Sequence, residues 1–134
     1  MTSSTSDAAA GLAGRNMALE THKRDGSWVN TPVNPVREGD RVFFRTWTTS
    51  GKVKRLRNDP RVRVAPSRPN GHPTGPFLEG RATPLAGADA EHAAHLVNRR
   101  FPLLQGVFVR GFHRLRHLET VHYVISDLAP LEGS

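Results

Sequence analysis

The arrangement of hydrophobic and polar residues along the chain predicts six short β-strands. Alternation is clearest in RVRVAP, where Val62 and Val64 alternate with arginines, as expected for a half-buried strand. Asp25 and Gly26 form a strong hairpin-turn signal between the first two strands. The first strand precedes this turn, and the others are predicted at residues 28–33, 41–47, 61–66, 76–85 and 120–128.

Two segments have helical rather than alternating spacing. Residues 88–101 predict a long helix, which Pro102 ends. The shorter segment TTSGKVKRLRNDP, residues 48–60, places Val53 and Leu56 on one side of a short helix. The apolar face of the long helix is formed by Ala90, Ala93, Ala94, Val97 and Phe101.

The segments between these elements complete the fold prediction. Residues 37–40 and 67–75 are predicted as a turn and a loop from their composition, whereas residues 105–117 fit no single element. Pro32 indicates that its strand lies at the edge of a sheet or beside a ligand rather than at the centre, because proline cannot donate a ladder hydrogen bond. The chain is therefore predicted to be mainly β, an antiparallel barrel with helices packed outside.

Length and composition predict one domain. With 134 residues the chain can bury a single core. Residues 1–14 are small and polar and predict a disordered tail, followed by one domain at residues 15–129 and a short C-terminal tail at residues 130–134. The chain has no cysteine and no apolar run of membrane-spanning length, which favours a cytoplasmic protein without a membrane partner.

Charge directs attention to the short helix. The net charge is +7, with sixteen arginines and three lysines, and two of those lysines, Lys52 and Lys54, lie in this one segment. Cations are unfavourable at a helix N-terminus, which already carries partial positive charge. Hydroxyl residues, Gly51 and free backbone N–H groups beside lysines are the components of a phosphate site. The alternative is a solvated basic helix. The preceding hydroxyl residues are Thr46, Thr48, Thr49 and Ser50.

Other candidate chemistry is weaker. His92 and His95 are three residues apart and His113 and His117 are four apart, but neither pair has a third metal ligand at a recognised spacing. No strand–turn–helix elbow surrounds Ser50, so no catalytic nucleophile, acid or base is assigned. A nucleic-acid-binding module is permitted by the charge, although no helix-turn-helix, zinc-finger or RNP-type motif is present. The aromatic residues that could stack on a cofactor ring or fill the core are Trp47, Trp28, Phe43 and Phe44.

Three stretches of the sequence resemble the pyridoxamine 5′-phosphate oxidase-like split-barrel flavoproteins, and most closely their branch that uses the deazaflavin coenzyme F420. They are LETHKRDGSWVNTPV, VFFRTWTTSGKVKRLRNDPRVRVAPS and GHPTGPFLEGRAT, and together they cover roughly residues 19–83 in the family's order. The lysine-rich helix followed by NDPRV is the most specific element. Asn34 and Trp28 depart from the pattern, since relatives often have an aromatic and a smaller residue there.

The resemblance implies a six-stranded antiparallel split β-barrel of the FMN-binding type and a homodimer with the cofactor in a groove at the interface. It assigns the cofactor phosphate to the basic helix and the preceding strand end, and the tricyclic ring to the segment around Thr31. By position, the implied cofactor-binding residues are Lys52, Lys54, Arg55, Thr46, Thr49, Ser50, Thr31, Pro32, Val33 and Trp47.

The implied activity is hydride transfer between reduced F420 and a small organic substrate with an activated double bond or similar group. The cofactor performs that chemistry while the protein supplies position and electrostatics. FMN is the alternative cofactor, and haem a minor variant, since some split barrels bind haem through histidine. A non-enzymatic F420 carrier is the alternative to an enzyme.

Overall fold

The computed structural model describes residues 9–102 and 119–131, which form one curled antiparallel sheet with two helices. The helices are α1, Gly51–Asn58, and α2, Gly87–Arg100. The strands are β1, Met17–His22; β2, Trp28–Val33; β3, Val36–Glu38; β4, Arg41–Trp47; β5, Arg61–Pro66; β6, Leu78–Pro84; and β7, Thr120–Pro130.

The order of strands in the sheet is β2-β1-β5-β6-β7-β4-β3, and every pairing is antiparallel. Strand β2 lies at one end of this order, so Pro32 occupies an edge strand as predicted. In the β1–β2 hairpin Met17 pairs with Val33 and His22 with Trp28, around a turn in which Gly26 has φ 93°. This positive φ is the conformation that a glycine adopts without strain.

The main core lies inside the curl of the sheet. Leu19, Val62, Phe44 and Ile125 are almost fully buried there, the first two on the paired strands β1 and β5 and the last two on the paired strands β4 and β7. Strand β4 is buried on both faces, because Phe43 packs in a second cluster with Ala93 of α2. The continuous apolar run Val42–Phe44 is what a strand covered on both faces requires.

Strands β6 and β7 pair closely where the sequence has a glycine. A Cβ on Gly80 would lie 2.9 Å from Ile125 Cγ2 and 3.2 Å from the Ser126 carbonyl oxygen. The register shifts between Glu79 and Arg81, and Asp127 opposite adopts φ 58°. The absence of a side chain at Gly80 thus allows the close approach of the neighbouring backbone.

Most predicted elements are present, with two differences. The described residues contain seven strands rather than the six predicted, because Val36–Glu38 forms a short strand where a turn was predicted for residues 37–40. Ala9 and Leu12 are buried in the core, although they precede the predicted domain boundary at residue 15. The ambiguous segment at residues 105–117, including His113 and His117, lies outside the described residues.

Candidate functional site

The apolar side of helix α1 packs against the sheet, and its basic side chains lie on the remaining sides of the helix. Val53 and Leu56 are buried in the main core. The first turn contains no acidic residue, and the N-cap residue Ser50 makes no side-chain capping hydrogen bond. The partial positive charge of the helix start and its basic side chains are thus left without local compensation.

A small cavity of about 150 Å³ lies beside the start of this helix, between β2, the end of β4 and α2. We call it the Lys52 cavity. Strand β4 contributes Thr46 and Trp47, and edge strand β2 contributes Pro32 and Val33. The described residues that line it are Pro32, Val33, Asn34, Arg45, Thr46, Trp47, Lys52 and Val97.

Lys52 is half-buried in this cavity and has a hydroxyl, not a carboxylate, as its neighbour. Its Nζ donates to Thr46 Oγ1 at 3.2 Å, and the buried Thr46 hydroxyl donates to Ser50 Oγ at 3.3 Å. Lys52 forms no ion pair with any acid in the part of the chain that the structure describes. Burial lowers the pKa of the Lys52 ammonium, and the Arg55 guanidinium lowers this pKa further. An anion in the cavity would oppose both effects.

Two further titratable side chains, Arg45 and His122, lie next to the cavity on the paired strands β4 and β7. Arg45, which lines the cavity, donates from Nη1 to Asn98 Oδ1 at 2.7 Å and pairs across the sheet with His122. Burial lowers the pKa of His122 to about 4, and the Arg45 charge contributes. His122 is therefore neutral near neutral pH, which leaves Lys52 and Arg45 as the cations of this region.

The remaining cations of α1 lie on a different side of the helix. Lys54 and Arg55 line a separate cavity of about 360 Å³ together with residues of the β1–β2 turn. Arg55 Nε donates to the buried Thr21 Oγ1 at 2.5 Å, which fixes its guanidinium. A Cβ on Gly51 would lie 2.9 Å from Arg55 Nη1, so the glycine leaves room for this arrangement.

Comparison with known proteins places the fold. No family model matches the sequence, and no curated protein matches it. Solved structures do match. A candidate pyridoxamine 5′-phosphate oxidase from Listeria innocua is 15% identical, with 90% of each chain covered and a TM-score of 0.59. An F420-H2 dependent reductase is 13% identical over 84% of this chain and 94% of its own, with a TM-score of 0.60.

A haem-binding protein from Mycobacterium smegmatis is 17% identical over 93% of this chain, with a TM-score of 0.63, and this chain spans about half, 51%, of its length. TM-scores of 0.59 to 0.63 show that this chain shares its overall fold with these structures. The chain has the split-barrel fold of the pyridoxamine 5′-phosphate oxidase-like proteins. At these identities the likeness concerns the fold.

The split barrel brings together only part of the predicted site. Five predicted residues line the Lys52 cavity, and Ser50 is hydrogen-bonded to one of them. Lys54 and Arg55 lie on the other side of α1, Thr49 is exposed, and Thr31 is half-buried opposite Leu19 in the β1–β2 pair. The five are Pro32, Val33, Thr46, Trp47 and Lys52.

Sequence reasoning missed several lining residues. Arg45 and Val97 belong to a strand and a helix that are far apart in sequence, and His122 pairs with Arg45 from the last strand. The alternating pattern of RVFFRTW places Arg45 on the opposite face from Phe44 and Thr46, but it does not identify the neighbour of that face. Asn34 was noted only as a departure from the family pattern, yet it lines the cavity.

The other candidates of the sequence lie elsewhere in the split barrel. Phe43 and Phe44 are core residues, whereas Trp28 lies between the His22 ring, with centroids 4.5 Å apart, and the Arg63 guanidinium at 4.4 Å. His92 contacts Glu38 on the surface. Within residues 9–102 and 119–131, no three potential metal ligands cluster and no helix is long and apolar enough to span a membrane.

Proposed function

We propose that this split barrel is an F420-dependent oxidoreductase whose Lys52 cavity holds the cofactor phosphate. The observation that carries the proposal is the half-buried Lys52 ammonium, which faces Thr46 and Ser50 hydroxyls and no carboxylate of the described chain. A partly desolvated ammonium without a counterion is costly to maintain, and a phosphate would supply the missing charge.

The residues present fit a phosphate group. Lys52 provides a charged donor, and the Thr46–Ser50 pair can turn a hydroxyl toward an oxyanion. The Arg45 side chain adds positive potential from the neighbouring wall. Two cations and no carboxylate among the described lining residues favour an anion as the ligand.

The size of the cavity restricts what else it can hold. About 150 Å³ corresponds to a few water volumes, which suits a phosphate but not a tricyclic ring. We propose that the ring extends past Pro32 and Val33, along the exposed edge strand β2, and that a second copy of the chain closes the groove. The site would then be complete in a homodimer.

Reduced F420, when bound, supplies a hydride to an electrophilic carbon of the substrate. The tasks of this chain are to bind and to orient. Lys52 and the hydroxyls fix the phosphate end, while Trp47, Pro32 and Val33 provide apolar surface beside it. No side chain is assigned as acid or base, and water can supply the proton that completes the reduction.

The experiment is a titration of the purified protein with F420, FMN, haemin and a DNA duplex, followed by tryptophan fluorescence. Trp47 lines the cavity, so binding there should change its emission. We expect micromolar or tighter binding of F420 and weaker binding of the others. Preference for FMN would make the protein an FMN-dependent split barrel instead, and binding of haemin or duplex alone would refute the proposal.

A second experiment separates an enzyme from a cofactor carrier. Reduced F420 is mixed anaerobically with the protein and a panel of activated enones and quinones, and its reoxidation is followed. Oxidation that depends on both protein and acceptor supports an oxidoreductase. Tight binding of reduced F420 with no oxidation by any acceptor supports the carrier.

A further inference from the structure

A larger cavity, of about 560 Å³, lies on a side of α1 that the Lys52 cavity does not reach. Its walls are mostly apolar and include Val53 and Leu56 from α1, Ala82 from β6 and Val121 from β7. Its volume falls within the range of about 300–1,000 Å³ that is typical of small-molecule sites. Lys52 does not line it, so the proposed cofactor site leaves this space unexplained.

Tyr123 is a polar residue set into this apolar wall. Only 3% of its surface is exposed, and its ring stacks on Phe44 with centroids 5.2 Å apart and an interplanar angle of 9°. Its hydroxyl has no hydrogen-bond partner among the described residues, although Tyr123 lines the cavity. The hydroxyl is not among the buried polar atoms of the described residues that lack a partner, so it opens to the cavity and can donate to a ligand there.

Two arginines complete the polar part of the cavity. Arg57 of α1 and Arg81 of β6 both line it, and neither forms an ion pair with an acid in the described parts of the chain. Burial raises the pKa of the Tyr123 phenol, and the charge of Arg57 opposes that rise, so the two groups interact. None of the described residues that line this cavity carries a carboxylate.

We propose that this cavity binds an apolar monocarboxylic acid, whose carboxylate accepts from Tyr123 and faces Arg57 and Arg81 while its hydrocarbon part packs on Val53 and Leu56. A carboxylate matches two guanidinium groups and a phenolic donor, because all three groups can donate and the described lining residues include no competing acid. The apolar walls exclude a polyanion, which would leave most of its charges desolvated.

Calorimetric titration with decanoate, decanol and acetate tests this proposal on the full-length chain. Decanoate should bind, decanol should bind more weakly because it lacks the charge, and acetate should not bind measurably because it lacks the apolar part. Methyl NMR should show shifts at Val53, Leu56 and Val121. Absence of decanoate binding, as expected if a second copy of the chain covers the cavity, would overturn the proposal, as would equal binding of decanol.

Two variants locate the carboxylate. Tyr123→Phe keeps the ring stack and removes the hydroxyl, so decanoate affinity should fall about threefold to tenfold. Arg57→Gln should reduce it by about twofold to fivefold, since a charged partner is lost but Arg57 is exposed and solvent screens its charge. Arg68→Gln, an exposed arginine of the loop after β5, is the matched control and should change nothing. Unchanged affinity in both Tyr123→Phe and Arg57→Gln, with folding verified by circular dichroism, would refute the assignment.

Discussion

Lys52 and Lys54 are two residues apart on the same helix, and the structure gives them different surroundings. Lys52 is half-buried, donates to Thr46 Oγ1 and lines the cavity beside edge strand β2. Lys54 is exposed and lines the separate cavity near the β1–β2 turn. A spacing of two residues turns the side chain by about 200° around a helix axis, so the two ammonium groups cannot share one ligand atom.

The cations of α1 therefore do not form one continuous binding surface. Its apolar stripe, Val53 and Leu56, packs into the core and divides the remaining surface of the helix. Lys52 belongs to a partly desolvated polar cluster, whereas Lys54 is surrounded mainly by solvent. Only the first environment makes a single charge energetically important, because solvent screens exposed charges.

The largest effect is expected on stability, from a substitution on the apolar side of α1 that packs into the core. Leu56→Ala removes a core side chain that is 5% exposed, and should lower the free energy of unfolding by about 2–5 kcal/mol. Chemical denaturation measures it. Lys54→Ala is the matched control on the same helix and should change stability by less than about 0.5 kcal/mol. Equal losses of stability in the two variants would mean that the apolar side of α1 does not differ from its exposed basic side in what it contributes to stability.

The next largest effect is expected on F420 affinity when either of the two lysines is replaced. Lys52→Ala should weaken F420 binding about tenfold to a hundredfold, because a charge-assisted phosphate contact is worth about 1.5–3 kcal/mol. Lys54→Ala should weaken it less than about fivefold, as expected for an exposed charge. Fluorescence titration of both variants measures the difference. A larger loss in Lys54→Ala would reverse the comparison and move the phosphate to the other side of α1.

Much of the fold could be predicted because its signals are local. Strands 28–33, 41–47 and 61–66 have the predicted bounds, since alternation and flanking turn residues define them. Strand β3 was missed because three residues, Val36–Glu38, are too few to show a period. The burial of Leu12 was missed because its small polar neighbours resemble a tail.

The site was predictable only in part, for a different physical reason. Residue type and spacing identified the basic helix, but they could not separate Lys52 from Lys54. That distinction depends on which strand packs against each side of α1. Arg45 and His122 meet through a pairing of β4 with β7, which no local pattern reports. Cross-strand neighbours from distant segments are a property of the folded sheet.

The half-buried position of Lys52, unlike the exposed position of Lys54, also predicts that F420 affinity depends on pH. The lowered pKa of Lys52 means that the free protein loses this charge at a lower pH than an exposed lysine would. F420 affinity should therefore begin to fall with rising pH before the ordinary lysine pKa of about 10.4 is reached. Lys52→Arg should flatten this dependence, because a guanidinium stays charged throughout. The same pH profile in Lys52→Arg as in the original protein would assign the titration to another group.

The smallest change in F420 affinity is expected when the Thr46 hydroxyl, which accepts a hydrogen bond from Lys52, is removed. Thr46→Val keeps the shape of this buried side chain but removes the oxygen that accepts from Lys52 Nζ and donates to Ser50. F420 affinity should fall about threefold to tenfold, as for the loss of one hydrogen bond, because the ammonium loses its orientation. Thr49→Val, at an exposed position three residues later, is the matched control and should have little effect. If Thr49→Val weakens binding as much as Thr46→Val, then the hydroxyls act as a diffuse polar surface, and the half-buried position of Lys52 has no special role in binding.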